Sequence, residues 1–254
     1  MDLYIKRPFH KPDFKIMGGD KDLVAALRLQ YGKYIDNSPL NNTNEIDVAK
    51  LSGDILYEID TIIYENTIFD ESIIALHGSA VEWRGKAYLF LAATHSGKTT
   101  LTSYLTSAGF NYITDDCALI DRQNFMVHPY NCPVHLRDGG VNVLSSLNKL
   151  PPNIQLLDDK IMRRHIFTPD KCVTVPLPLG GVYFIERSET ENSEVKLNNI
   201  EGIAELAKSH MTPFTPSTEY IGLLSRLSQT GCARLIYKDM GFVETIIRKA
   251  GDAV

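Results

Sequence analysis

The chain has 254 residues, of which 44% are hydrophobic and 22% charged, and its formal net charge is −5. This length and composition suit one large α/β domain, or a catalytic domain with a small N-terminal appendage, and they exclude a largely disordered chain. The acidic balance provides no general attraction to nucleic acid or to anionic lipid, so neither is predicted as a partner.

The apolar stretches are of strand length and are interrupted by charges, and the beginning of the sequence lacks the apolar run of a secretory signal. Four cysteines stand far apart without a Cys-x-x-Cys pair, at Cys117, Cys132, Cys172 and Cys232. This spacing favours reduced thiols over a disulfide framework or a zinc site. A cytoplasmic protein without membrane association is therefore predicted.

The first 72 residues show no pattern that predicts a chemical activity, and we interpret residues 1–72 as a small N-terminal α+β appendage. Alternating apolar residues at 3–5 and 14–17 favour an edge hairpin. The spacing predicts helices over Asp22–Tyr31 and Ile46–Phe69, whereas the polar composition of Asn37–Asp47 is typical of a loop. Residues 73–254 are predicted to form the catalytic domain.

From Ile73 the chain becomes more regular. Three strands are predicted, over Ile73–Leu76, Ala80–Trp83 and Ala87–Ala92, with Arg84-Gly85-Lys86 as the tight turn of a hairpin between the last two. A helix is predicted over Lys98–Ser107, with Gly109 as its stop and a further strand over Phe110–Thr114.

The segment between the third strand and this helix has the composition of a phosphate-binding loop. A strand–turn–helix of this kind directs backbone N–H groups and a helix N-terminus at an anion. Lys98 would add a point charge and Thr99 a hydroxyl ligand for Mg²⁺. Ala92 stands where such loops usually have glycine, and an alanine forced to a positive φ would cost roughly 1 kcal/mol. The residues predicted to contact the nucleotide are Thr94, His95, Ser96, Gly97, Lys98, Thr99 and Thr100.

Two carboxylates, Asp115 and Asp116, follow the strand after this helix. A carboxylate in this position beside a phosphate loop holds Mg²⁺ by way of water, next to the hydroxyl of Thr99. Because neighbouring strand residues alternate between faces, the second carboxylate is free to accept a proton from an attacking hydroxyl. One aspartate is therefore predicted to serve the metal and the other to act as the general base.

Four stretches together resemble the catalytic domain of HPr kinase/phosphorylase: Leu76–Val81, Ala92–Thr99, Gly109–Asp116 and Leu136–Val143. The sequence is more similar still to HPr-kinase-like proteins found beside genes for ribosomally made peptides, including lasso peptides. The resemblance covers roughly residues 73–187. It implies an α/β fold with a P-loop-containing core of the HPr-kinase/phosphoenolpyruvate-carboxykinase type, in which helices flank a mixed β-sheet, and it implies a homo-oligomer.

The resemblance also implies roles for individual residues. His77 would lie near the transferred phosphoryl group, Lys98 on the β- and γ-phosphates, and Thr99 with Asp115 on Mg²⁺. Asp116 is favoured as the general base.

Arg137 matches the arginine of the family's Glu-x-Arg-Gly-x-Gly signature and is a further candidate catalytic residue. His135 stands where that signature has its acid, and Asp138 where it has its first glycine. These departures favour a kinase without phosphorylase activity.

Downstream, the basic cluster Lys160–His165 is predicted to lie on a mobile loop, where its arginines would stabilise phosphoryl charge or hold an acidic peptide. Leu177–Ile185 is predicted as a strand and Glu186–Glu194 as a polar hairpin tip. Helices are predicted over Asn199–Ser209 and Val243–Ala250.

The function predicted from these features is an ATP- and Mg²⁺-dependent transfer of the γ-phosphoryl group to a serine or threonine hydroxyl of a peptide or protein, with a ribosomal (lasso-type) precursor peptide as the expected acceptor. Two alternatives remain open at this point. One is a small-molecule kinase or carboxykinase-like enzyme, and the other is a regulator that binds a nucleotide and transfers nothing.

Overall fold

The computed structural model describes residues 2–6, 13–36, 38–40, 43–158, 163–211 and 217–252. Contacts divide the chain into two compact units, Met1–Asp70 and Glu71–Val254. This division lies two residues before the boundary that the sequence predicted. The assignment of the second unit as the catalytic domain stays a prediction.

Among the residues described, the first unit has a four-stranded sheet and two α-helices. Its elements are β1 (Leu3–Ile5), β2 (Asp13–Met17), α1 (Lys21–Tyr31), β3 (Ile35–Asp36), β4 (Thr43–Asp47) and α2 (Ile55–Ile68). The strand order is β3-β1-β2-β4, in which β2 and β4 are parallel and the other neighbours antiparallel. The strands and both helices bury one core, which includes Ile5, Phe14, Leu27 and Ile59.

The predicted antiparallel pairing of β1 with β2 is confirmed, but its place at an edge is wrong, because β3 and β4 pair with the outer sides of these two strands. The predicted loop over Asn37–Asp47 is wrong from Thr43 onwards, because β4 pairs with β2 and buries Ile46. The helix predicted from Ile46 begins only at Ile55, since the Asp54 side chain accepts a hydrogen bond from the Tyr57 N–H and caps α2.

The second unit contains eleven strands and five helices among the residues described. They are β5 (Ile73–Trp83), β6 (Lys86–Leu91), α3 (Lys98–Ser107), β7 (Asn111–Thr114), β8 (Cys117–Asp121), β9 (Met126–His128), β10 (Val134–Leu136), α4 (Asp138–Ser146), β11 (Gln155–Asp158), β12 (Arg163–Phe167), β13 (Leu177–Arg187), β14 (Ser193–Lys196), α5 (Asn199–Lys208), α6 (Thr218–Ser228), β15 (Cys232–Tyr237) and α7 (Met240–Asp252).

The main sheet of this unit has the order β14-β15-β13-β6-β5-β8-β9, with β7 also paired to β5. Strands β6, β13 and β15 are parallel, whereas β5 is antiparallel to β6. A smaller antiparallel sheet has the order β10-β12-β11. The predicted class, a mixed α/β structure with a mixed sheet and flanking helices, is confirmed.

Helices cover both faces of the main sheet around β6 and β13, which explains the continuous apolar run of β6. Tyr88 and Phe90 belong to the core beneath α3 and α7. Leu89 and Leu91 point to the other face and belong to the core with α5 and α6. The alternation of side chains along β6 therefore builds two cores from one strand.

The two strands predicted over Ile73–Trp83 are one strand of eleven residues, β5. Its first half pairs with β8 and its second half with β6. The predicted turn to β6 is confirmed, because Arg84 and Gly85 have φ angles of 54° and 77°, as a two-residue hairpin turn requires.

Two predictions downstream need correction, and several elements were not predicted. The predicted loop of the basic cluster contains β12, which starts at Arg163; residues 159–162 and the side chain of Arg163 lie outside the described structure. The polar stretch Glu186–Glu194 is not a hairpin tip, since β14 pairs with β15 rather than with β13. Helices α4 and α6 and strand β15 had no counterpart in the sequence prediction. Within the described parts of the chain, none of the helices has the length and apolarity needed to cross a lipid bilayer.

Candidate active site

The predicted phosphate loop is residues 92–97, between the end of β6 and the start of α3. The positive φ angles of the loop are at His95 (69°) and Gly97 (91°), so Ala92 does not carry the strain that its position suggested. Gly97 is the N-cap of α3, and no described side chain caps the helix. The first amides of α3 are therefore left for another hydrogen-bond acceptor.

Lys98 is buried, with 6% of its surface exposed, and its ammonium group has three partners. Nζ lies 2.9 Å from the carbonyl oxygen of Ala92, 3.0 Å from that of Ala93 and 3.1 Å from His77 Nε2. Burial lowers the pKa of Lys98, and the charges of Asp116 and Asp115 oppose this shift. The three N–H bonds are thus engaged by the loop itself and by β5.

His77 lies between Lys98 and Asp116. Because Nε2 accepts a hydrogen bond from Lys98, the ring proton is assigned to Nδ1, which lies 3.3 Å from Asp116 Oδ1. Burial and the charge of Lys98 lower the pKa of His77, although Asp116 acts in the opposite direction. The ring is therefore neutral at neutral pH, and the three side chains form one polar chain.

The course of β5 explains why these groups meet. His77 is in register with Cys117, and the Gly78 N–H donates to the Asp116 carbonyl oxygen at 3.2 Å. A Cβ atom at Gly78 would lie 2.3 Å from Leu91 Cδ2 and 2.9 Å from the Phe90 carbonyl oxygen. The glycine after His77 is needed for the close approach of β5 and β6 at the start of the loop.

Asp115 is the half-buried member of the carboxylate pair, whereas Asp116 is exposed. Its Oδ1 atom is inaccessible to solvent and has no hydrogen-bond partner among the residues described. Burial and the charge of Asp116 raise the pKa of Asp115 to about 7, while Thr99 and Lys98 act in the opposite direction. A buried carboxylate oxygen without a partner is costly, and a cation bound there would remove the cost.

No group of three or more His, Cys, Asp or Glu side chains suited to a metal occurs in the described parts of the chain. A Mg²⁺ ion in a phosphoryl-transfer site does not need such a group, because water, one carboxylate, one hydroxyl and the phosphates complete its coordination. The orphaned oxygen of Asp115 beside Thr99 fits that arrangement.

Arg137 approaches the loop from α4, of which it is the N-cap. Its Nη1 atom contacts Nδ1 of His95, and lies 3.5 Å from Nε2 of the same ring. The approach depends on Gly140, where a Cβ atom would lie 2.8 Å from Thr100 Oγ1. The structure thus brings Arg137 and Thr100 to the loop by way of one close contact between α4 and α3.

The remaining loop residues differ in their surroundings. Ser96 Oγ is buried and has no hydrogen-bond partner among the described residues, so it is available to a ligand in the loop. Thr94 is exposed, and no described residue hydrogen-bonds to its side chain.

Two residues that flank Leu136 and Arg137, His135 and Asp138, were not among the predicted site residues. Burial and the neighbouring Arg164 lower the pKa of His135 to about 4, and the charge of Asp116 acts in the opposite direction. Asp138 accepts a hydrogen bond from His165 Nε2 at 2.8 Å, which ties α4 to β12. In the sequence, His135 and Asp138 were visible only as departures from the signature around Arg137.

No protein-family model matches the sequence, and no curated protein is detectably similar to it. Among solved structures, the chain is similar to the HPr(Ser) kinase/phosphatase from Coxiella burnetii, with a TM-score of 0.36 and 11% sequence identity, covering 69% of this chain and 94% of that one. The similarity is distant.

Proposed function

We propose that this chain is a phosphotransferase that moves the γ-phosphoryl group of ATP to a serine or threonine hydroxyl of a peptide or protein. The observation that carries the proposal is the polar chain from Lys98 through His77 to Asp116, which lies at the start of α3 beside a half-buried carboxylate, Asp115. This arrangement joins groups suited to bind phosphate, metal and an attacking hydroxyl.

The loop 92–97 and the first turn of α3 would form the phosphate cradle of a P-loop core. The uncapped amides of α3 and the buried hydroxyl of Ser96 are donors without partners among the described residues. Lys98 now donates to the carbonyl groups of Ala92 and Ala93. On nucleotide binding, its ammonium would exchange these acceptors for β- and γ-phosphate oxygens.

Thr99 and Asp115 would hold Mg²⁺, which supplies neutralisation of charge on the phosphates. The orphaned oxygen of Asp115 supports this assignment, and so does the contribution of Thr99 to lowering the pKa of that carboxyl.

Asp116 would be the general base. Its side chain is 72% exposed, so an acceptor hydroxyl can reach it, and His77 Nδ1 lies 3.3 Å from its Oδ1 atom. The acceptor oxygen attacks the γ-phosphorus, the bond between that phosphorus and the bridging oxygen breaks, and ADP leaves. The hydroxyl proton passes to Asp116. Arg137, held against His95, would offset charge on the transferred group.

A ribosomal precursor peptide of the lasso type is the proposed acceptor, and a homo-oligomer is the proposed assembly. Both are supported by the resemblance of the sequence motifs to HPr-kinase-like proteins. The exposure of Asp116 is compatible with an acceptor as large as a peptide.

The test is the intact mass of candidate acceptors after incubation with Mg-ATP and the full chain. The candidates are a precursor peptide encoded beside this gene and HPr. We expect one added phosphate on the peptide, its loss with Lys98→Ala, and its retention with Lys249→Ala, which removes an exposed lysine of α7.

Each other outcome contradicts a defined part of the proposal. Phosphate on a free metabolite but on neither polypeptide would overturn the acceptor class and indicate a small-molecule kinase. Nucleotide binding without any phosphorylated product would overturn transfer itself and indicate a regulator.

A further inference from the structure

The strand order of the main sheet indicates over which strands the base and ribose of the nucleotide would lie, provided that the proposed function is correct. The carboxylates Asp115 and Asp116 lie on the side of β6 that is occupied by β5, β7 and β8. The metal and the γ-phosphate belong to that end of the loop. The base and ribose must therefore extend to the other side, over β13 and β15.

The elements on the two sides of α3 support the same orientation of the nucleotide. On the side of the carboxylates, α4 packs against the first turn of α3, where Gly140 approaches Thr100. On the other side, the parallel strands β13 and β15 end at the same edge as β6. Ligands of open α/β sheets bind at the carboxyl ends of such strands. Since strands are about 4.8 Å apart, β15 lies about 10 Å from β6, a distance that a nucleoside can span.

Three residues lie at this edge, and the side chains of two of them, Arg187 and Tyr237, are close to each other. Tyr237, the last residue of β15, places its hydroxyl 3.5 Å from the position of a Cβ atom at Gly97. Arg187, the last residue of β13, is in register with Tyr237, and its charge acts on the tyrosine hydroxyl. Lys238 follows directly, and its N–H donates to Asn192 Oδ1 at 2.7 Å, which fixes the backbone there.

The two cations at this edge are available to a ligand. Arg187 and Lys238 are exposed, and neither side chain forms an ion pair with a described carboxylate. A planar guanidinium stacks on aromatic rings, whereas an ammonium acts as a point charge for phosphate oxygens. The guanidinium therefore suits the base of a nucleotide, and the ammonium suits its α-phosphate.

We propose that the base and ribose of the nucleotide bind at this edge subsite, formed by Arg187, Tyr237 and Lys238, with the Arg187 guanidinium against the face of the base. The hydroxyl of Tyr237 lies between the subsite and the bend of the loop at Gly97. The subsite binds the nucleoside, with Lys238 beside the α-phosphate, and the loop binds the remaining phosphates.

The test compares two probes, Mg-ADP and magnesium tripolyphosphate, by calorimetric titration of the full chain. The second probe has the phosphates without the nucleoside. We expect Arg187→Ala to weaken ADP binding about tenfold and to leave tripolyphosphate binding within about twofold, because the lost contact is with the base. Lys238→Ala should also weaken ADP binding. The matched control is Lys196→Ala, an exposed lysine at the other edge of the sheet, where Lys196 pairs with Ala233 at the start of β15.

The outcomes separate this proposal from the proposed function. If both probes bind the wild-type chain and Arg187→Ala changes neither affinity, or lowers both equally, the edge subsite is wrong while the phosphate loop stands. If neither probe binds the wild-type chain, the phosphate loop is wrong and the subsite is overturned with it. Lys98→Ala should abolish binding of both probes.

Discussion

His77 is held between a cation and an anion, and its position determines how the other side chains of the site are arranged. The ring accepts a hydrogen bond from Lys98, and its other nitrogen lies 3.3 Å from Asp116 Oδ1, so a neutral imidazole connects the predicted phosphate loop to the predicted base. The sequence motifs identified each of these residues as a candidate site residue. They could not show this chain of contacts, because His77 and Asp116 are 39 positions apart and meet only through the pairing of β5 with β8.

The first prediction concerns Asp116. Replacement by asparagine removes the proposed proton acceptor but keeps the size of the side chain, so we expect phosphotransfer to fall by about 10²- to 10⁴-fold. The measurement is the initial rate of acceptor phosphorylation. ADP affinity should stay within about threefold of wild type, because Asp116 is exposed and does not form the cradle. An Asp116→Asn variant with full activity would show that another group takes the proton.

The second prediction concerns Asp115, whose pKa is raised to about 7 by burial and by Asp116. Below that pH the carboxyl is protonated and has no charge to offer a cation. The contribution of Mg²⁺ to ADP affinity should therefore increase between pH 6 and pH 8, by about tenfold.

Calorimetric titration of ADP with and without Mg²⁺ at the two pH values measures this effect. Asp115→Asn is the control, since it removes the titrating group while the protonation of ADP itself remains. The same pH dependence in the variant would contradict the role of Asp115.

At the scale of elements, the position of Arg137 depends on how closely α4 packs against α3. Gly139 and Gly140 are neighbours in α4 with opposite surroundings, and they form a matched pair. A Cβ atom at Gly140 would meet Thr100 Oγ1 at 2.8 Å and Leu136 Cδ2 at 3.0 Å, whereas a Cβ atom at Gly139 would have open space around it among the described residues.

The third prediction follows from this pair. Gly140→Ala should lower the free energy of unfolding by about 1–3 kcal/mol, because the extra methyl group separates the two helices. Gly139→Ala should be neutral or stabilising, by up to about 1 kcal/mol, since alanine favours the helix. Urea unfolding measures both effects. Phosphotransfer should decrease only in Gly140→Ala, through displacement of Arg137 from the loop, and equal effects of the two substitutions would contradict this account.

The elements that were predicted correctly carry their own local signals. The turn at Arg84 and Gly85 and the stop of α3 at Gly109, which has a φ angle of 100°, are set by residues within the turn itself. The elements that were missed depend on distant partners. Strand β14 is polar and exposed, and it is a strand only because β15 pairs with it from 40 positions away. Helix α4 begins with Asp138-Gly139-Gly140, a sequence with poor helix propensity, and its stability comes from packing on α3 and β12.

At the scale of the whole molecule, the two units differ in the kind of group that they bury. The second unit contains the charged side chains of the candidate active site. Among the described residues of the first unit, one carboxyl group has a strongly shifted pKa. Asp60 in α2 accepts hydrogen bonds from the hydroxyl of Tyr31 at 2.6 Å and from Gln30 at 3.2 Å. Burial raises the pKa of Asp60 to about 6 despite these bonds.

The fourth prediction is the effect of this group on stability. Because its pKa is higher in the folded protein, the folded state binds more protons than the unfolded state between about pH 4 and pH 6. The contribution of Asp60 to the unfolding free energy therefore decreases as the pH rises through this window, by about 3 kcal/mol at most. Asp60→Asn should remove this pH dependence and stabilise the protein at pH 7.

Urea unfolding at pH 5 and pH 7 checks the prediction. The matched control is Glu65→Gln, which makes the same change of charge at an exposed position of the same helix. If Glu65→Gln raised the free energy of unfolding at pH 7 by a similar amount, the effect would come from the general charge of the protein rather than from the burial of Asp60.

The sequence by itself determined the class of the fold, the strand–loop–helix around Lys98 and the identity of the candidate catalytic groups, because these depend on periodicity, turn residues and motifs that lie close together in the chain. Only the tertiary structure decided which groups meet. The contact of His77 with Lys98, that of Arg137 with His95, and the place of Tyr237 beside Gly97 all join residues from separate elements. Such contacts depend on strand order and on helix packing, and neither is encoded in any local pattern of residues.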